Sequence, residues 1–159
     1  MPTSLSAEEQ AVCSSLMRIL VALPRVLDDD LVRGAGLSST EYAVLMHLSE
    51  APGRRLRMSD LAARAALSRS RISRVVDGLA AAGLVHRLGD SKDGRCTLAE
   101  LTDAGLARLT QAWPHHLASV RANVLDVLGP AELAVLAVAL PRLASELKGC
   151  GAPPTSCEP

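Results

Sequence analysis

The chain has 159 residues, with 17 Lys and Arg balanced by 17 Asp and Glu; 48% of it is hydrophobic, yet it holds one Trp, one Tyr and no Phe. That length is most simply one domain with room for a real core, and a core short of aromatics must be Leu, Val and Ala, which suits helices better than a β-sandwich. Zero net charge argues against a polyanionic partner until the charges are located: from Arg54 to Arg95 ten basic residues meet four acids, a surplus of six that the remainder must cancel, and such separation points to nucleic acid.

Met1 to Leu5 reads as loose chain. Ser6-x-x-Glu9 is a capping box that opens a helix. Val12, Leu16, Ile19, Leu20, Leu23, Val26 and Leu27 give that helix a broad apolar face, and Pro24 within it predicts a kink. An acidic patch, Asp28-Asp29-Asp30, comes near its end, and Gly34 or Gly36 stops it. Ser38-x-x-Glu41 is a second capping box; its helix, to about Glu50, buries Tyr42, Leu45, Met46 and Leu48, and Ala51-Pro52-Gly53 ends it. Arg54 to Arg57 then lead into the central stretch.

Met58 to Arg95 organises the chain. It reads as a short helix, a tight turn, a second helix and two strands joined by a charged loop. Leu61, Ala62 and Ala65 form the packing face of the first helix (Ser59 to Ala65), and the small Ala63, Ala65 and Ala66 let the two helices cross closely. In the second helix Ile72, Val75, Val76 and Leu79 repeat at i, i+3, i+4 and i+7, one buried stripe. Ser70, Ser73, Arg74 and Asp77 point away from it, with Arg69 and Arg71 on the flanks. Ser68 precedes the helix as a cap, and Gly83 closes it as a C-cap. This is helix-turn-helix spacing, whose second helix enters the DNA major groove. Leu84 to Leu88 and Cys96 to Leu101 are the strands of a hairpin across Gly89-Asp90-Ser91-Lys92-Asp93-Gly94-Arg95, which makes the unit a winged helix-turn-helix.

Thr102 caps the next helix, which Trp113-Pro114 interrupts and which resumes through His115 to about Val127. Gly129-Pro130 separates it from a last helix with Pro130 at its first position and Leu133, Leu136, Val138, Leu140, Leu143 and Leu147 along it. The resulting class is mainly α, with a two-stranded β wing. One domain spans 1–148: a DNA-binding lobe over 38–101 and long apolar arms over 6–34 and 102–148. The tail, 149–159, is Gly- and Pro-rich and reads as disordered. A small winged helix does not need the arms for its own core. They fit an interface between two interleaved chains, a C₂ dimer, which holds two recognition helices about 34 Å apart for successive major grooves.

The polar, acidic start does not resemble a secretory signal, and no uninterrupted apolar run approaches the ~20 residues of a membrane span, so a cytoplasmic protein without membrane contact is expected. Cys13, Cys96, Cys150 and Cys157 are scattered, without disulfide or zinc spacing. No nucleophile–base pair, glycine-rich phosphate loop or metal-ligand spacing suggests an enzyme, a cofactor or a metal. A winged-helix module that binds protein is the competing class, although such modules replace recognition-helix arginines with apolar anchors.

Taken in order, Leu37-Ser38-x-x-Glu41-Tyr42-x-x-Leu45, Asp60-Leu61-Ala62, Ser73-Arg74-Val75-Val76-Asp77-x-Leu79, Gly83-Leu84-Val85-x-Arg87, Asp90-x-x-Asp93-x-Arg95 and Leu101-Thr102-x-x-Gly105 resemble the MarR family of transcriptional regulators. The resemblance implies a homodimer with a winged helix-turn-helix in each subunit. It further implies repression, or occasionally activation, of its own or a neighbouring promoter through a palindromic double-stranded operator, relieved by a small phenolic or other aromatic effector or by cysteine oxidation.

Each residue has a competing role. Arg74 is placed to meet a guanine edge bidentately, or else to pair with Asp77 at i+3. Ser68, Arg69, Ser70 and Arg71, at the helix N-terminus, suit phosphate, with Ser70 in reach of a base; capping is the alternative. By resemblance, Arg95 is the wing's minor-groove arginine, Asp93 orients it and Lys92 touches phosphate. Arg54, Arg55 and Arg57 are backbone contacts or merely a soluble loop. Family likeness sets the effector site between arms and lobe, where Arg18, His47, Trp113, His115 and His116 are the polar or aromatic candidates, each with a structural alternative. Cys13 invites an oxidation-sensing reading, but Tyr42 is the only tyrosine and a buried, inert thiol is the default.

Overall fold

The computed structural model describes residues 4–89 and 97–146. The order is α1 (Ala7–Ala35), α2 (Ser39–Ser49), a 3₁₀ turn (Pro52–Arg54), β1 (Arg55–Arg57), α3 (Met58–Arg64), α4 (Arg69–Ala81), β2 (Val85–Gly89), β3 (Thr97–Leu101), α5 (Asp103–Val120) continuing as a π-helical turn (Arg121–Leu125), and α6 (Pro130–Glu146). Lys92, Asp93 and Arg95, and the tail from 149, lie outside the described residues.

Local chemistry sets most helix ends. Ser6–Glu9 and Ser38–Glu41 form complete capping boxes; Ser68 Oγ accepts from Arg71 N at 3.3 Å and Thr102 Oγ1 from Gly105 N at 2.9 Å. Gly36, left-handed at φ 60°, caps α1, so Gly34 lies inside the helix. Helix α4 ends at Ala81 with Ala82 as its C-cap and Gly83 one place beyond, at φ 73°, where Gly83 N bonds Ala80 O and Leu84 N bonds Leu79 O. That is a Schellman closure. The same pattern ends α3 on Ala66, which has no glycine's freedom yet sits at φ 51°. Ala63 and Ala66 are therefore exposed, and the helix crossing is made by buried Leu61 and Ala62 with half-buried Ala65.

Packing modifies two expectations. Arg55–Arg57 is a strand that joins the expected two-stranded hairpin, giving a three-stranded antiparallel sheet in the order β1-β3-β2. Leu56 opposite Ala99 buries one side chain, and Arg55 opposite Glu100 forms an ion pair at 3.0 Å, so the pairing rests on residues more than forty positions away. Second, α5 runs through Trp113-Pro114 unbroken. Proline removes one ladder bond, but Ala112 before it and Ser119 beyond it are both buried, and packing on α1 and α2 holds the axis. Pro24 likewise lies within an unbroken α1.

The core belongs to the lobe: Leu31, Val44, Leu45, Leu48, Leu61, Ile72, Val76, Leu79 and Val85 are its fully buried large side chains. The arms add little. Helix α1 contributes only its last turns, through Leu31 and Ala35, and α6 has no buried residue. Val12, Met17, Ile19, Leu20, Val26, Val135, Val138, Leu140 and Leu143 stay exposed along the arms. By length and composition α1 is long and apolar enough to cross a bilayer, although Arg18 and Arg25 interrupt its apolar run.

Candidate nucleic-acid interface

Helix α4 stands on the lobe by Ile72, Val76 and Leu79, with Val75 half-buried beside them. That seating turns Arg69, Ser70, Arg71 and Arg74 outward, all exposed, with Ser73 half-exposed. The side chains of the three arginines make no hydrogen bond or ion pair among the described residues. Ser68 caps the helix, and its hydroxyl also lies 3.2 Å from Ser70 Oγ. The first turn thus offers free backbone N–H groups, two hydroxyls and two guanidinium groups without an acid, a surface complementary to phosphate oxygens.

The single acid on α4 is taken from another direction. Arg87, on β2, donates to Asp77 Oδ1 and, at 3.1 Å, to Ser73 Oγ. The pairing of Arg74 with Asp77 is therefore not the one formed. Arg87 ties the sheet to the recognition helix and neutralises the one negative charge on α4. Sequence reasoning gave it no role beyond its place in the family pattern, because its partners are 10 and 14 residues away. Arg57, Arg69, Ser73 and Arg87 line a groove of about 300 Å³ between the start of α3, α4 and the sheet, with Ile72 at its floor. Three guanidinium groups line this groove, that of Arg87 already paired with Asp77.

Arg54 and Arg55 are drawn away from such a role. Arg54 donates to Asp103 at 2.8 Å and ties the turn before β1 to the start of α5, while Arg55 pairs with Glu100 across the β1–β3 strands.

The effector candidates do not converge. Arg18 is exposed on α1, and His47 is buried between α2 and α3. Burial holds the His47 imidazole below its ordinary value, with Glu50 opposing and Arg64 adding to that shift, while a bond to the Arg64 backbone pulls it back up. No hydrogen bond, ion pair or ring contact joins Arg18, His47 and Trp113 to one another among the described residues. His116 instead gathers an aromatic cluster: its ring centroid is 4.6 Å from that of Tyr42 and 6.2 Å from that of Trp113, and burial lowers its pKa. His115 turns the other way, onto Gly34, where any Cβ would overlap its ring. Cys13 is exposed on α1 rather than buried in the chain.

A family model described as MarR family matches residues 35–95. The chain is 38% identical over 89 residues to the HTH-type transcriptional repressor YetL of Bacillus subtilis, a match covering 56% of this chain and about half (53%) of YetL's length. Among solved structures it is similar to Sco3205, a MarR family transcriptional regulator from Streptomyces coelicolor crystallised in complex with DNA. Identity there is 38%, with 93% of this chain and 92% of that one covered and a TM-score of 0.84. AbsC, a MarR family regulator from the same organism, matches at 36% identity with a TM-score of 0.81, covering 92% of this chain and 99% of its own. With an exposed arginine-bearing recognition helix, a sheet packed beside it and near-complete overlap with these regulators, the chain belongs to the MarR family.

Proposed function

We propose that the chain is a dimeric, sequence-reading DNA-binding repressor of its own or a neighbouring promoter, acting in the cytoplasm on a palindromic operator. The observation that carries this is the outward face of α4: the side chains of Arg69, Arg71 and Arg74 have no partner among the described residues, while Asp77 is held by Arg87. Arg74 reads a base edge; Ser68, Arg69, Ser70 and Arg71 hold phosphate; Ser73 is kept in place by Arg87. Lys92 and Arg95, with Asp93 orienting the latter, extend the contact through the wing, as family likeness suggests. The DNA in the Sco3205 crystal supports the same reading.

The dimer is inferred from the arms. An α6 with no buried residue and an α1 exposed along its first five turns would leave a large apolar face in water. A second copy covers it by symmetry; a bilayer would have to accept Arg18 and Arg25. Relief by a small aromatic effector is placed at the lobe–arm junction, where Tyr42, His116 and part-exposed Trp113 gather.

A gel shift on the DNA upstream of the chain's own coding sequence, against a scrambled duplex and over a salt series, tests the reading. Arg74→Ala should cost roughly 1–3 kcal/mol on the operator and relax base preference. Equal losses on operator and scrambled duplex would remove the base-reading role. No binding to any duplex at low salt would remove the function.

A further inference from the structure

Two carboxylates of the acidic run Asp28-Asp29-Asp30 are spent on joints between elements. Asp28 Oδ1 accepts from Ser39 N at 2.7 Å and fixes the start of α2 to α1. Asp30, two residues on, reaches the opposite way. Its Oδ2 accepts from the buried Ser119 Oγ at 2.6 Å, and its Oδ1 from Arg33. The donated hydroxyl holds the Asp30 carboxyl below its ordinary range, against the opposing effect of burial, and Arg33 and Asn123 lower it further.

Ser119 sits just before the place where the helical ladder widens. From Arg121 to Leu125 the turn is π-helical, with Asp126 N bonded to Arg121 O at 2.8 Å. A π-turn holds an extra residue and splays the carbonyls beside it. Asn123 Nδ2 meets that disturbance, donating to Ser119 O at 2.9 Å, to Ser119 Oγ at 3.3 Å and to Asp30 Oδ2 at 3.4 Å. One amide thereby bridges the widened turn and anchors it to α1. Beyond the turn, α6 departs at 103° to the axis of α5, carrying its exposed apolar face with it.

We propose that Asn123, Ser119 and Asp30 hold the π-turn open and so set the direction of α6, and through it the separation of the two recognition helices in the dimer. The inference rests on the dimeric reading above. Asn123 and Ser119 are positioning residues, since they lie far from α4 in the chain and act through the aim of α6. Closing the π-turn to a regular α-turn would rotate everything beyond it by about 100° and shift it by about 1.5 Å.

Electron–electron distances between spin labels test this without DNA. Cys13, Cys96, Cys150 and Cys157 are replaced by Ser, and one label is attached through Ala81→Cys at the exposed end of α4. Asn123→Ala removes the amide; Asn123→Asp keeps its shape but loses both N–H donors. Both should move or broaden the inter-subunit distance while circular dichroism and dimer mass stay as in the parent, and Ser119→Thr, which keeps the hydroxyl, should not. A parental distance in both Asn123 variants overturns the proposal. Should those variants fail to fold, Ser119→Ala decides in their place: a changed distance supports the brace, and an unchanged one overturns it. A parent protein that is monomeric, giving no inter-label distance, would instead strike the dimeric reading.

Discussion

Replacing Arg87 by Ala separates the function of the recognition surface from the stability of the lobe. The side chains of Arg87 and Asp77 are 36% and 55% exposed, and exposed pairs are worth about 0.2–1 kcal/mol. The hydrogen bond to Ser73 comes from the same half-exposed Arg87 Nη1 and is counted within that range. Folding stability should therefore fall by no more than about 1 kcal/mol, a midpoint shift of roughly 2–4 °C for a chain this size. DNA binding should suffer more. The substitution removes a cation from the groove shared with Arg57 and Arg69, and it leaves Asp77 bare on a helix that must approach phosphates. We expect about a tenfold loss of affinity, or about 1.4 kcal/mol, similar on operator and scrambled duplex because the change is one of charge. Asp77→Ala in the same chain should recover much of that loss. Fluorescence anisotropy with both duplexes, beside thermal melts of the three proteins, reads each quantity separately. Parental DNA affinity for Arg87→Ala, or a double variant no better than the single one, would refute the reasoning.

Three further outcomes follow from particular contacts. A Cβ on Gly105 would overlap the Leu84 carbonyl oxygen and lie 2.7 Å from Leu101 Cδ1. Since that carbonyl also accepts from Thr102 N and Oγ1, Gly105→Ala should destabilise by roughly 3 kcal/mol or more in urea unfolding. Ala66→Gly should do the reverse, raising stability by about 1 kcal/mol in the same assay, because Ala66 is left-handed at φ 51°. Burial lowers the pKa of His116 and of His47 below 6.5, so the unfolded chain takes up protons that the folded chain refuses. Melting temperature should accordingly drop as pH falls below about 6.5, levelling once the lower folded values are passed. His116→Phe, which keeps a ring against Tyr42, should flatten that slope; an unchanged slope would mean that other groups carry it.

Much of the lobe was legible because its signals are local. Capping boxes at Ser6 and Ser38, the Ser68 and Thr102 caps, the stripe of Ile72, Val76 and Leu79, and Pro130 opening the last helix all involve residues within a turn or two of one another. Arginines excluded from that stripe had to face outward, so the reading face of α4 was fixed by periodicity. The third strand was not legible: three residues with one buried leucine become a strand only when β3 is folded beside them. Nor was the fate of Asp77, which depended on Arg87 arriving across the sheet.

What the sequence determined by itself was where most helices start and, within the lobe, the side of α4 that stays dry, since a 3.6-residue period and a cap are complete within the segment that bears them. Tertiary structure alone decided which charges remain available. Asp28 and Asp30 become joints, Arg54 and Arg55 become braces, and the side chains of Arg69, Arg71 and Arg74 stay exposed without a partner among the described residues. An ion pair or a brace forms between whatever groups folding brings within about 3 Å, and no spacing along the chain encodes that distance.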